Sequence, residues 1–244
     1  MRWAWAAVAA VIVLAGGIFV FRTVTAAGGG GVVVQTVQPT RAPVVTTTTA
    51  PAPGSSDADP DPDRPTEVVN VVAVDEAGNP AAGYQVTDGG EVENCRPSPA
   101  AAGAGVFACS PTAESADVCW PTPSPRVLLC GDSPWKTSLR RTTTADRIDR
   151  TPSGAEAEPW GLELADGAKC RRRNGGSWPG RADGLAGAYH CDREDVFVLS
   201  GGGPVVNRTN PAWTVKIGGL SADNGDFPPP ADVRVVKAYF AASP

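Results

Sequence analysis

The sequence predicts a mainly β protein: a disulfide-stapled antiparallel β domain that follows an N-terminal transmembrane helix and a disordered linker. Three observations predict it. The residues from Trp3 to Phe21 carry no charge and no proline, a Gly-, Thr-, Pro- and Asp-rich stretch follows, and short β-branched runs with six cysteines occupy the remainder. We place the three parts at residues 1–25, 26–66 and 67–244.

The apolar segment is long enough to cross a bilayer as a helix, because about 20 residues span the hydrocarbon core. Arg2 and Arg22 flank it, so the positive-inside rule defines its orientation only weakly. Two interpretations stay open. A signal peptide would be cleaved after the small residues 24–26 or 25–27, whereas an uncleaved anchor fits the length better, since signal h-regions usually span about 7–15 residues. We favour a single-pass anchor in the cell membrane with the C-terminal domain outside the cytoplasm, and secretion after cleavage is the alternative.

The linker at 26–66 lacks the apolar surface that would offset the entropy of ordering, and its prolines favour extended conformations. It contains alternating carboxylates from Asp57 to Asp63 that imitate a calcium loop. The imitation fails because Pro62 stands where an EF-hand needs glycine and Val68 where it needs the bidentate glutamate. We therefore interpret this stretch as a solvated acidic spacer.

Composition narrows the function classes. The formal net charge of −5 argues against a nucleic-acid partner, because such proteins normally carry a basic balance. The chain has 28 glycines and 24 prolines, which favours turns and loops over long helices.

From residue 67 onward, β-branched and aromatic runs alternate with turn residues. Asp88–Gly90, Asp166–Gly167 and 201–204 predict turns. Residues 138–148 are the one candidate for a short helix. The strand candidates are 68–74, 83–87, 126–130, 161–165, 196–200, 213–217 and 233–240.

The six cysteines lie at Cys95, Cys109, Cys119, Cys130, Cys170 and Cys191. An even number in an oxidising compartment predicts disulfides, although six cysteines allow fifteen pairings. Zinc is disfavoured, since the sequence has no Cys-x-x-Cys pair and a single histidine.

A weak internal similarity narrows the pairings. One order of features occurs twice: a strand-like run, an Asp-Gly pair, a cysteine, a polar loop, and an aromatic residue two positions before a second cysteine. The repeat suggests two possible halves of the domain, at 67–141 and 159–241. This pattern predicts the bridges Cys95–Cys109 and Cys170–Cys191, and it leaves Cys119 to pair with Cys130.

Several motifs carry a resemblance to a known group. They are Asp117-Val-Cys-Trp120, Leu128-Leu-Cys130 with Ser133-Pro-Trp135, Leu139-Arg-Arg141, Leu162 to Gly167 with Cys170, Tyr189-His-Cys191, Asn210 to Val215 and Ala238-Tyr-Phe240. Their cysteine and tryptophan spacing resembles that of an uncharacterised family of exported or membrane-anchored proteins of mycobacteria and related actinobacteria. The resemblance covers about residues 83–241 and implies an exported β-rich domain. It supplies no catalytic residue.

No catalytic constellation stands out. His190 is the only histidine, no Gly-x-Ser-x-Gly motif accompanies it, and strand alternation places it opposite Cys191, which predicts an exposed ring. The carboxylates of Asp192, Glu194 and Asp195 are interleaved with an arginine, as is usual for surface charge. The sequence therefore predicts no catalytic residue, no metal site and no cofactor.

Two kinds of side chain are candidates for binding. Arg171, Arg172 and Arg173, with Arg181 nearby, predict a basic loop that would meet an acidic polymer or anionic headgroups, or would simply be a solvated face. Trp178 lies between glycine-rich turns and is the candidate for an exposed ring that stacks on a sugar or a protein partner. Four tryptophans directly adjoin a proline, which predicts positions at turns or strand ends: Trp120, Trp135, Trp160 and Trp178. Trp213 is expected to pack the core.

The leading hypothesis is a non-enzymatic cell-envelope protein that presents a binding or structural domain outside the cytoplasm, with an envelope glycan or protein as partner. One alternative is a hydrolase that acts on envelope polymers through carboxylates. Another is a structural subunit of an envelope complex.

Overall fold

The structure is a computed structural model. It describes residues 61, 63–110, 116–145, 147–148, 156–175, 179–221, 223 and 225–244, together with two short N-terminal strands. Those strands, β1 (Ile12–Leu14) and β2 (Gly17–Phe19), pair with each other in antiparallel register. The rest of the predicted membrane segment, both cleavage sites and the linker up to residue 60 lie outside the described residues. No helix in the described part of the chain has both the length and the apolar character of a membrane span.

The first sheet closes into a five-stranded barrel. Strands β4 (Gln85–Pro97) to β8 (Ser138–Thr144) follow one another in chain order, and β8 returns to pair in parallel with β4. The other neighbours in the barrel are antiparallel. Between these two strands lie β5 (Phe107–Ser110), β6 (Cys119–Pro121) and β7 (Val127–Gly131).

The second sheet also closes on itself, because its long last strand pairs on both edges. Strand β15 (Ala231–Ala241) pairs with β14 (Thr214–Gly218) through its first residues and with β9 (Gly161–Leu164) through later ones. The ring is completed by β10 (Lys169–Arg172), β11 (Ala186–Cys191) and β12 (Phe197–Ser200). Two further strands extend this sheet, β13 (Val206–Asn207) beside β14 and β3 (Glu67–Val71) in parallel beside β15.

The pairing of strand β3 crosses the suggested division of the domain into halves at 67–141 and 159–241. A first half that begins at residue 67 would include β3, yet β3 pairs with β15 of the second sheet. The chain from Ala52 to Pro244 clusters as one compact unit.

Two buried tryptophans mark the place where the two sheets share a core. Trp120 in β6 and Trp160, directly before β9, are 0% and 1% exposed, and their rings meet edge to face with centroids 6.1 Å apart. Gly131 allows this contact, since a Cβ there would lie 2.9 Å from Trp160 Cη2. Trp160 lies at a strand end, as the neighbouring proline predicted, and Trp120 lies within the short strand β6; both rings fill this core.

The prediction of a mainly β fold with three disulfides and mostly antiparallel pairing is confirmed. Each of the seven strand candidates overlaps an observed strand. The short helix at 138–148 is wrong, because Ser138–Thr144 is strand β8, which is hydrogen-bonded along both edges to β4 and β7.

The predicted turn at Asp88–Gly90 is also wrong. These residues lie inside β4, where the pairing with β8 shifts register between Asp88 and Glu91. Gly89 is required there, because a Cβ would stand 2.8 Å from the carbonyl oxygen of Arg141. The equivalent Asp166–Gly167 pair does form the turn between β9 and β10, with Gly167 at φ 83°.

The three predicted bridges, Cys95–Cys109, Cys119–Cys130 and Cys170–Cys191, are all present, and the described residues contain no free cysteine. We expect the double variant Cys119→Ala/Cys130→Ala to lower the free energy of unfolding by ~3 kcal/mol, because the bridge restricts the unfolded chain. Urea unfolding followed by circular dichroism measures this. A free energy within 1 kcal/mol of wild type would contradict the prediction.

Candidate functional site

A cavity of about 560 Å³ opens between the turn that joins β7 to β8 and the neighbouring strands β10 and β11. Its size falls within the range of small-molecule sites. Four cationic side chains and two carboxylates line it, together with one tryptophan and the histidine. We call it the basic groove; its lining residues are Asp132, Ser133, Trp135, Lys136, Arg140, Lys169, Arg171, His190, Cys191 and Asp192.

Arg171 forms one side of this groove and reaches from the second sheet into the first. Its Nη2 donates to Asp117 Oδ1 at 2.7 Å, and its Nε donates to the backbone carbonyl of Asp132. Asp117 is 2% exposed, and burial raises the pKa of its carboxyl while the Arg171 charge opposes that rise. The guanidinium is therefore fixed in position by a buried counter-ion.

Arg140 in β8 is the second guanidinium of the groove. It pairs with the Asp132 carboxylate at 2.5 Å, with both side chains about one-third exposed. Asp132 thus contacts both arginines, one through its carboxylate and one through its carbonyl.

Two lysines are the exposed cations of the groove. Lys136 lies in the turn after Trp135, and Lys169 begins β10 with its backbone N–H donating to Asp192 Oδ1 at 2.9 Å. Neither ammonium group forms a salt bridge within the described part of the chain. These charges are free to meet an anion.

Trp135 forms an aromatic wall whose orientation is fixed by its neighbours. Its Nε1 donates to Glu163 Oε1 at 3.0 Å, and the same oxygen accepts from the Tyr239 hydroxyl at 2.8 Å. The Trp135 and Tyr239 rings meet edge to face at 5.5 Å. Burial and the hydrogen bond to Glu163 raise the pKa of Tyr239 to about 12, so its hydroxyl remains a donor at neutral pH.

His190 is exposed, as strand alternation predicted. It pairs in register with Arg171 on the neighbouring strand, and its ring meets Phe197 edge to face at 5.5 Å. It therefore lies on the rim of the groove.

The prediction of an exposed basic loop at 171–173 with Arg181 is wrong in its geometry. Arg171 and Arg172 belong to β10, and Arg172 pairs with Glu158 at 2.7 Å. Arg173 is partly buried, with its N–H bonded to the Ala188 carbonyl.

Arg181 is 5% exposed, so it is not part of a solvated face. Its guanidinium pairs with Asp183 at 2.8 Å and donates to the carbonyl oxygens of Gly219 and Pro228, and it stacks on the Phe227 ring. This arginine fastens the segment before β11 to the loop between β14 and β15.

The candidate Trp178 lies outside the described residues. Of the binding candidates within the described residues, only Arg171 lines the basic groove. Trp135, Lys136 and Lys169 were not singled out as binding residues; the available signal was a tryptophan beside a lysine in a proline-containing turn.

A second, smaller cavity of about 410 Å³ contains Glu156, Glu158 and Arg208. Both glutamates are committed to ion pairs, Glu156 with Arg208 and Glu158 with Arg172. Arg208 itself stacks over Trp213, with its Cζ 4.8 Å from the ring centroid. Both carboxylates are therefore paired with arginines, and Arg208 covers part of the core of the second sheet.

Comparisons with protein-family models, with curated proteins and with solved structures found no match for this chain. Among the described residues, no group of three or more histidine, cysteine or acidic side chains is arranged to hold a metal ion. In the part of the chain that the structure describes, the fold and the groove define a disulfide-bonded, mainly β domain with a cation-lined cavity.

Proposed function

We propose that this protein is a non-enzymatic binding protein of the cell envelope, and that its basic groove takes an anionic ligand outside the cytoplasm. The membrane segment and the linker at 26–66 would hold the domain away from the bilayer. The observation that carries the proposal is the pair of exposed lysines, Lys136 and Lys169, beside two guanidinium groups that are already fixed in place.

The arginines and lysines have different roles in this proposal. Arg140 and Arg171 are held and largely neutralised by Asp132 and Asp117, so they offer N–H donors that are oriented at low cost in conformational entropy. Lys136 and Lys169 contribute charges that have no internal counter-ion within the described residues and would be neutralised directly by the ligand. The chain carries a net charge of −5, so the groove is a local exception to the overall charge.

We expect the full-length protein, purified in a non-ionic detergent, to bind dextran sulfate and not neutral dextran. The double variant Lys136→Ala/Lys169→Ala should weaken this binding by about tenfold or more, since the two directly available cations are lost. Added salt should weaken wild-type binding by screening. Isothermal titration calorimetry measures each affinity.

The matched control is Lys216→Ala, which removes an exposed lysine of β14 that pairs with Asp232 at 3.2 Å. It should leave the affinity unchanged. Equal loss in the control and the double variant, or equal binding of charged and neutral dextran, would contradict the proposal.

A further inference from the structure

We propose that the ligand of the basic groove is a saccharide whose ring carries an anionic group, with the sugar ring stacked on Trp135 and the anionic group held by Lys169. This inference rests on the proposed function and names the class of ligand. Cations alone would serve any anion, whereas a fixed aromatic wall beside them selects a ligand with a flat apolar face.

The first step is that the indole of Trp135 is fixed before any ligand arrives. Gly161 lies in close contact with it, since a Cβ there would stand 2.8 Å from Trp135 Cη2. Glu163 holds its N–H, and the Tyr239 ring supports it from the side. A ring held on these sides loses little entropy when a sugar stacks on it.

The second step is that the indole remains accessible. Trp135 is only partly buried although its N–H is already satisfied, and it lines the groove together with the lysines. By contrast, the tryptophans of the shared core, Trp120 and Trp160, are only 0% and 1% exposed. Trp135 is thus a partly exposed tryptophan that lines the cavity and whose Nε1 already has an acceptor.

The third step is the position of the cation. Lys169 Nζ lies 5.9 Å from the centroid of the Trp135 ring, at the outer limit of a cation–π contact. A sugar ring placed on the indole would therefore bring a carboxylate or phosphate substituent next to this ammonium group. Asp192 accepts from the backbone N–H of Lys169, which fixes the start of β10 beneath the lysine.

The test uses three probes on the full-length protein in detergent, each measured by calorimetry. Trigalacturonate has sugar rings and carboxylates, its methyl ester has the rings without the charges, and triglutamate has the charges without the rings. We expect trigalacturonate to bind about tenfold or more tightly than either of the others, because only it satisfies both the indole and the lysine. Glucose 6-phosphate against inorganic phosphate repeats the comparison for a phosphate group.

Variants assign the two contacts. Trp135→Ala should weaken trigalacturonate binding by about tenfold and leave triglutamate binding unchanged. Trp135→Phe keeps an aromatic ring at this position and should retain most of the affinity. The control is Trp213→Ala, which removes a partly buried tryptophan that stacks with Arg208 away from the groove. It should leave binding unchanged, and thermal unfolding of each variant shows that it is folded.

The outcomes separate the two proposals. If triglutamate and trigalacturonate bind equally and Trp135→Phe and Trp135→Ala behave alike, the groove binds anions and the saccharide inference is overturned. If no anionic probe binds while Lys136 and Lys169 are intact, the proposed function itself fails. Preferential binding of the methyl ester would overturn the role of Lys169.

Discussion

Replacement of Asp117 by asparagine is expected to lower the free energy of unfolding by about 3–5 kcal/mol, one of the largest effects of any single substitution in the domain. The reason is the Arg171 guanidinium, whose side chain is 17% exposed and which would lose its buried counter-ion. Chemical unfolding at neutral pH measures the change. Asp166→Asn breaks an exposed pair with Arg193 and should cost at most about 1 kcal/mol.

The opposite variant, Arg171→Met, gives a pH dependence with a defined sign. Burial raises the pKa of Asp117 above its ordinary value of 3.8, and Arg171 opposes the rise. Without Arg171 the pKa should rise further, so the folded state then favours the protonated carboxyl. The loss of stability should be smallest below the ordinary pKa and grow as the pH rises through the raised one.

Unfolding of Arg171→Met by urea at a series of pH values from acid to neutral checks this dependence. The double variant Asp117→Asn/Arg171→Met removes both charges and should recover part of the stability that either single variant loses. A pH-independent loss would mean that Arg171 acts through packing alone.

Local sequence patterns were sufficient for seven of the fifteen described strands and for the disulfides. The seven strand candidates were β-branched runs between turn residues, and such runs pair in many tertiary settings. The bridges followed from a repeated order of strand, cysteine, loop and cysteine. Each bridge closes a short segment, so the pairing depended on neighbouring strands rather than on distant contacts.

The sequence predictions failed where distant contacts determine the structure of a segment. Ser138–Thr144 became a strand because it closes the first barrel between β7, its neighbour along the chain, and β4, which lies far earlier in the sequence. Asp88–Gly90 became a bulge because β8 passes close to Gly89. The same Asp-Gly pair formed a turn at 166–167, so the local signal alone does not decide between the two outcomes.

The candidate site shows the same limit. Arg171 was singled out as one of three consecutive arginines, and its actual role depends on Asp117, which lies 54 positions earlier and is buried beside it. Lys169 and Trp135 are 34 positions apart and meet only because β10 passes the turn after β7. A cluster that is assembled from two sheets leaves no spacing pattern for sequence analysis to detect.

The second large effect on the free energy of unfolding is expected at the two buried tryptophans, which differ in their hydrogen bonding. Trp120 and Trp160 are equally buried and touch each other, but their N–H groups differ. Trp120 Nε1 donates to the carbonyl oxygen of Ala242 at 2.8 Å, whereas Trp160 Nε1 has no acceptor among the described residues. The two residues are thus matched in packing and unmatched in hydrogen bonding.

We expect Trp120→Ala to lower the free energy of unfolding by about 3–5 kcal/mol, because it empties a core that both sheets share. Phenylalanine variants separate the contribution of the hydrogen bond to stability from that of packing. Trp120→Phe leaves the Ala242 carbonyl without its donor, while Trp160→Phe removes an unpaired donor, so the first should cost about 1–3 kcal/mol more than the second. Urea unfolding of both variants measures the difference. Equal losses would show that the hydrogen bond to Ala242 contributes nothing, and that the end of β15 is held to the first barrel by packing alone.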